Sequence, residues 1–242
     1  MTHPRGIHLP EADLWLDPPF AVEHAFVSHA HSDHVGRHRH IYCTALTEAI
    51  MRTRYKIGKK TLFHPLPLRE PQPWGEWEMR LLPAGHIAGS AMLHLTRRSN
   101  GATLLYTGDY KLSQGLSAER CELQSADVLI METTFGRPHY RFPSRESVIA
   151  QIQAFVVETL AAQKIPLLLG YSLGKAQEIL GALYGTNVPV MAHESVIAMT
   201  KIIAPHMGPL PPIKEFAAHL ATGRGLVFPP QVSRTPEATA LP

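Results

Sequence analysis

Apolar residues fall into short runs in the first half of the chain and into helical spacings in the second. Ala25 to Ser28 forms one short run. Glu76 to Leu82 partly alternates, with Trp77, Met79 and Leu81 on one face. Both patterns predict strands. Ala91 to Thr96 and Thr103 to Thr107 predict two more, separated by the turn-like Ser99-Asn100-Gly101, and Asp127 to Met131 predicts another. Thr44 to Arg54 predicts a helix with Thr44 as its N-cap.

The pattern changes after Pro143. Ser144 can cap a helix in which Val148, Ile152, Phe155 and Thr159 recur at spacings of three and four. Ile165-Pro166-Leu167-Leu168-Leu169 predicts a buried strand, Gly170-Tyr171-Ser172-Leu173-Gly174 a turn, and Lys175 to Leu183 a helix. Val188 to Met191 predicts a strand, Ser195 to Ala204 a helix, and Gly225 to Pro230 a last strand before a loose tail, Gln231 to Pro242. Strands alternating with helices predict a small α/β unit.

Composition narrows the class. The chain has 242 residues, 45% apolar and 18% charged, which suits one substantial core or two modest domains. A net charge of +3 permits a nucleic-acid partner without requiring one. The two cysteines, Cys43 and Cys121, form neither a disulfide framework nor a Cys-x-x-Cys zinc site, so a reducing cytoplasm is the expected compartment. Met1-Thr2-His3-Pro4-Arg5 leads into no long apolar segment; neither a signal peptide nor a membrane span is expected.

The chemistry concentrates in His29-Ala30-His31-Ser32-Asp33-His34, directly after the apolar run. Imidazole and carboxylate are ligands for zinc or a similar divalent ion, and this spacing at a strand end can divide its donors between two adjacent metals. The cluster is expected in a loop feeding a short helix, with Asp33 and His34 near the helix start. His86, beside Gly85 between two predicted strands, and Asp109, ending Tyr106-Thr107-Gly108, are further candidate ligands. A bridging carboxylate could serve two ions, and Asp33 could both ligate and orient the nucleophile. Glu132, at the end of a predicted strand, could cap the next turn, support the ligands or transfer a proton.

These residues resemble the metallo-β-lactamase-fold hydrolases. The His29–His34 run looks like their metal loop, Asp17 like the carboxylate that supports it, His86 like their third histidine and Asp109 like their bridging aspartate. By that resemblance His29, His31, His86 and Asp109 hold one metal, while Asp33, His34, Asp109 and a further histidine hold the second. Glu132-Thr133-Thr134-Phe135-Gly136 and Gly170 to Glu178 resemble the β-CASP branch, and within it the bacterial ligase-associated DNA exonucleases, also described as mRNA 3′-end processing factors.

The resemblance implies an αββα metallo-β-lactamase core over residues 1–143, a partial β-CASP-like α/β cap over 144–230, and a tail over 231–242. It implies one or two Zn²⁺ ions, with Mn²⁺ or Mg²⁺ as alternatives. The activity implied is hydrolysis of nucleic-acid phosphodiesters by a metal-activated water, exonucleolytic on DNA in the first instance. Asp33, Asp109 and Glu132 would be its catalytic groups. The implied partners are nucleic acid, DNA before RNA, and an associated DNA ligase or helicase, with no membrane; a homo-oligomer stays open. Two family motifs that return to the core, each with a histidine, have no counterpart here, since the contexts of His193, His206 and His219 differ. A catalytically impaired nucleic-acid-binding member and a small-molecule ester or thioester hydrolase are the alternatives.

Other features carry less. Gly170-x-x-x-Gly174-Lys175-Ala176 is one residue short of a phosphate-binding loop and has alanine where a hydroxyl is needed. Arg52, Arg54, Lys56, Lys59 and Lys60, with Tyr55 among them, could follow a nucleic-acid backbone or simply be solvated. Lys111 could reach a phosphate near Asp109. Ser172 and Ser195 lack the Gly-x-Ser-x-Gly context of a nucleophile.

Overall fold

The computed structural model describes residues 2–3 and 6–232. Expectations that fall on residues 1, 4–5 and 233–242, a start without a leader and a loose tail, lie outside the described residues. The chain divides into two compact units, Met1–Thr134 and Phe135–Pro242. Both are mixed α/β structures.

Unit 1 contains two sheets. The first comprises β1 (Thr2–His3), β2 (Gly6–Leu9), β3 (Leu14–Leu16), β4 (His24–Phe26), β5 (His40–Cys43) and β6 (Leu62–Pro65), in that spatial order, with α1 (Ala45–Arg54) between β5 and β6 in the chain. β1, β2 and β3 pair antiparallel; β3 through β6 pair parallel. The second comprises β7 (Gln72–Trp74), β8 (Trp77–Pro83), β9 (Ala91–Arg97), β10 (Thr103–Tyr106) and β11 (Val128–Ile130), in the order β11-β10-β9-β8-β7.

The two sheets share one apolar core. Leu14, Leu16, Phe26 and Tyr42 come from the first sheet, and Met79, Leu81, Leu93, Leu95 and Tyr106 from the second. Each such large side chain contributes about 1.5–3 kcal/mol by leaving water. Ala25 and Phe26, on opposite faces of β4, are both buried because the strand lies inside a parallel array. β11 is a sheet edge, and its Val128 and Leu129 remain exposed.

Strands β8 to β11 and helix α1 follow the sequence pattern closely, and Thr44 caps α1 by accepting from the Thr47 N–H at 3.1 Å. The histidine run does not feed a short helix. Residues 32–33 form a turn that returns through irregular chain to β5. β5, β6 and β7 have no clear sequence signal: each is short, and β6 and β7 contain Pro65 and Pro73.

Unit 2 holds α2 (Arg145–Ala161), β12 (Leu167–Leu169), α3 (Lys175–Ala182), β13 (Val190–Ala192), α4 (Glu194–Ile203), β14 (Ile213–Glu215) and β15 (Gly225–Phe228). Its strands form a parallel sheet in the order β12-β15-β13-β14. β15 is last in sequence and central in space, and all four of its residues are buried. The α2 stripe is displaced from its expected position. Val156 is fully buried, and Ile152 and Leu160 pack beside it, so the i, i+4 row faces the core. Val148 and Phe155 point to solvent. Among the described residues no helix is long and apolar enough to cross a membrane.

Candidate metal centre

The loops after β3, β4 and β10, and the connection from β8 to β9, supply the polar groups of unit 1. Asp17 follows β3, His29 to His34 follow β4, His86 lies between β8 and β9, and Asp109 follows β10. Four of these residues, His29, His31, His86 and Asp109, each offer a ligand atom within 4.8 Å of the others.

The individual separations suit a metal. His29 Nε2 lies 3.0 Å from His31 Nδ1, and His86 Nε2 lies 3.2 Å from the same atom. Asp109 Oδ2 is 3.5 Å from His86 Nε2 and 3.9 Å from His29 Nε2. Tetrahedral bonds of about 2.0–2.1 Å set neighbouring donors about 3.3 Å apart. The donor set therefore has the capacity for one divalent ion.

Asp109 also turns outward from this group. Its Oδ1 lies 3.6 Å from His34 Nε2, and the same nitrogen lies 3.6 Å from Asp33 Oδ2. Asp33, His34 and Asp109 thus form a second, more open set that shares one carboxylate with the first. His29, His31, His86 and Asp109 come together in one group, while His34 lies beside Asp109 and Asp33 beside His34.

Burial and neighbouring charges set the protonation of these donors. Burial, reinforced by His34, His31 and His86, holds the His29 pKa well below its ordinary value. Burial and the charges of His31, His34 and Lys111 push His86 down to about 4, against a small opposing effect of Asp33. Both rings are neutral lone-pair donors near neutral pH. Burial raises the Asp109 carboxyl; His34 opposes this, and the charges of Glu132, Asp33 and Asp17 add to it. Burial opposes charge on His34, but the hydrogen bond to Asp17 and the charges of Asp17, Asp109 and Asp33 outweigh it and raise its pKa.

The chain resembles proteins that act on nucleic acids. It is 44% identical over 227 residues to a protein of Opitutus terrae described as a probable DNA ligase, covering 93% of this chain and 22% of that protein. It is 30% identical over 179 residues to the DNA cross-link repair protein SNM1 of Arabidopsis thaliana, covering 70% of this chain and 37% of that protein. A probable RNase of Methanocaldococcus jannaschii is 27% identical over 217 residues, covering 75% of this chain and 50% of that protein. The chain is related to the β-CASP metallo-hydrolase nucleases.

The chain spans half or less of the length of these relatives. No family model matches it. A crystal structure of a protein of unknown function from Enterococcus faecalis V583 shares the fold, with a TM-score of 0.57 and 15% identity, over 86% of this chain and 58% of that one.

In this chain, buried Asp17 organises the loop. Its Oδ1 accepts from the Ser28 N–H at 2.7 Å. Its Oδ2 accepts from Ser28 Oγ at 2.6 Å, Tyr106 Oη at 2.9 Å and His34 Nδ1 at 3.0 Å. Ser28 Oγ, having donated to Asp17, accepts from His29 Nδ1 at 2.9 Å. The network assigns the proton of both rings to Nδ1 and leaves each Nε2 lone pair facing the cluster. Gly108 makes room for it. Its φ is +52°, and a Cβ there would stand 2.5 Å from Ser28.

Ser28 and Tyr106 carry no sequence signal for this role, since a serine and a strand tyrosine have many ordinary uses. The His86 loop has similarly hidden supports. The hydroxyls of Thr44 and Thr47 donate to the Gly89 carbonyl at 2.7 and 2.9 Å, and Glu119 accepts from the Gly89 N–H at 3.0 Å.

The remaining candidates lie at the margin. The Glu132 carboxylate accepts from the Thr134 N–H at 2.6 Å, so it caps its own turn while its charge reaches Asp109. Lys111 is exposed and close enough to depress His86. In the basic run, Arg52 is engaged by Glu48 at 2.8 Å, and Tyr55 Oη donates to the Ala30 carbonyl inside the metal loop at 2.9 Å. Lys56, Lys59 and Lys60 are exposed.

Proposed function

We propose that the chain is a metal-dependent hydrolase of nucleic-acid phosphodiesters, acting as an exonuclease on DNA. The observation that carries this reading is the orientation of Asp109, with Oδ2 toward His29 and His86 and Oδ1 toward His34. One carboxylate so placed can serve two ions, the arrangement suited to displacement at phosphorus. Unit 1 is then the αββα metallo-β-lactamase core, with α1 as one helical flank, and unit 2 its β-CASP-like cap. The description of the Opitutus relative supports association with a DNA ligase.

His29, His31, His86 and Asp109 would hold the first ion, and Asp33, His34 and Asp109 the second, with zinc suited to the imidazole donors. Bound there, the ions lower the pKa of water and neutralise charge on a phosphoryl oxygen. Asp33 orients the attacking water and accepts its proton on a carboxylate oxygen. Asp17 keeps His34 and, through Ser28, His29 in the required tautomers. Lys111 contacts a non-bridging phosphate oxygen. Glu132 supports the turn beside Asp109.

One observation favours a second reading. Among the described residues the outer set holds only Asp33, His34 and Asp109, and the Asp33 side chain is 78% exposed. A chain with a weak second site would bind nucleic acid without cutting it.

The test combines metal analysis with end-labelled single-stranded and duplex DNA and RNA, with His31→Ala and Asp109→Ala as controls. The proposal expects metal-dependent shortening of DNA from an end, lost in both variants. Metal uptake without cleavage of any substrate would establish the binding reading instead.

A further inference from the structure

Unit 2 opens with three large aromatic side chains held in water. Phe135 is 60% exposed, Tyr140 43% and Phe142 69%. They belong to Phe135-Gly136-Arg137-Pro138-His139-Tyr140-Arg141-Phe142-Pro143-Ser144-Arg145, a stretch with three arginines and no acidic residue. The segment has no strand or helix before α2; backbone bonds from Tyr140 to Arg137 and from Arg141 to His139 shape it.

The rings are ordered relative to one another. Phe135 meets Tyr140 and Phe142 nearly at right angles, with centroids 5.2 Å away in each case. Tyr140 and Phe142 are parallel to within 7°, with centroids 6.4 Å apart. His139 lies against Tyr140, with centroids 4.2 Å apart. The rings support one another through mutual contacts, and all three remain substantially exposed.

Exposed apolar groups of this size mark an interaction surface. The interleaved cations narrow the partner. Arg145 pairs with Glu146 at 3.2 Å, whereas Arg137 and Arg141 project from the loop without a carboxylate in the segment to neutralise them. Exposed aromatic rings beside guanidinium groups match a chain with flat rings and one negative charge per unit. Duplex nucleic acid buries its rings in the stack; a single strand does not.

We propose that residues 135–145 are a stacking platform for single-stranded nucleic acid, with Tyr140 and Phe142 receiving bases and Arg137 and Arg141 meeting phosphates. The inference rests on the nucleic-acid reading above and names the strand state that unit 2 holds. Stacking on an aromatic side chain tolerates any base, so the platform is indifferent to sequence.

The test is fluorescence anisotropy of labelled oligo-dT, oligo-rU and a duplex of equal length, with the whole chain in EDTA so that cleavage is suppressed. The proposal expects binding of both single strands in preference to the duplex. Phe142→Leu keeps an apolar side chain but no ring, and is expected to weaken binding about tenfold, while Phe142→Trp restores it. Arg137→Ala and Arg141→Ala are each expected to reduce the slope of log affinity against log salt by about 0.7.

Circular dichroism checks that each variant is folded. Equal duplex binding, or unchanged affinity in folded Phe142→Leu, overturns the platform. So does sedimentation showing that these residues hold a second copy of the chain while oligonucleotide binding is unaffected. Cleavage in added metal is scored separately. Platform-dependent binding without cleavage removes the hydrolase reading alone, and cleavage with platform-independent binding removes the platform alone.

Discussion

Asp17 Oδ2 lies 3.0 Å from His34 Nδ1, so one buried carboxylate determines which nitrogen His34 turns toward Asp109. Through Ser28 the same carboxylate also sets the tautomer of His29. Outer partners of metal ligands typically change metal affinity 10–100-fold. Asp17→Asn is expected to weaken binding by about that range, as read by competition with a chromophoric chelator. Tyr106→Phe removes one donor to Asp17 and leaves the carboxylate in place, so its loss should stay near about 1 kcal/mol.

Gly108 is a point of close approach between the Asp109 loop and Ser28. An added methyl group meets Ser28 at 2.5 Å in a backbone conformation that disfavours side chains. Gly108→Ala is expected to destabilise the fold by at least about 2 kcal/mol and to reduce metal uptake. Denaturant unfolding and metal titration of the same preparation check both effects.

The core face of α2 makes a contrast of neighbours. Val156 is fully buried, whereas Phe155 is largely in water. Val156→Ala is expected to cost about 2 kcal/mol, and Phe155→Ala less than about 0.5 kcal/mol. Equal losses in urea unfolding would place the helix in the other register.

The run His29 to His34 stood out in sequence because four potential donors within six residues are more than a core or a cap ordinarily uses. His86 and Asp109 were legible from their place beside glycine at strand ends. The groups that hold them were not. Ser28, Tyr106, Thr47 and Glu119 act across separations that spacing does not encode. Regular strands such as β8 and β9 showed their period, but β6 and β7, short and proline-bearing, gave no such signal. The α2 stripe was legible only in part: Ile152 packs at the core as expected, but Phe155 and Val156 fit the helical spacing from Ile152 equally well, and packing, not periodicity, buried Val156.

Stability should fall in mild acid. His38 is buried, and its Nε2 accepts from the Gly36 N–H at 3.0 Å, a bond that protonation would abolish. Burial, partly opposed by the charge of Asp17, lowers its pKa from 6.5 to about 4. The unfolded chain therefore takes up this proton first. Its contribution is complete above about pH 6.5 and declines as pH falls toward 4, by at most about 3 kcal/mol. Denaturant unfolding across this window should show a shallower pH slope in His38→Gln than in the unsubstituted chain.

The most direct measurement is equilibrium dialysis of the metal-free chain against Zn²⁺, beside His31→Ala and Asp109→Ala, with folding checked by circular dichroism. Convergence of His29, His31, His86 and Asp109 on one cation predicts at least about one tightly held ion per chain. It also predicts a large loss of affinity in each folded variant. Equal uptake by all three proteins, or no uptake by the unsubstituted chain, would contradict it.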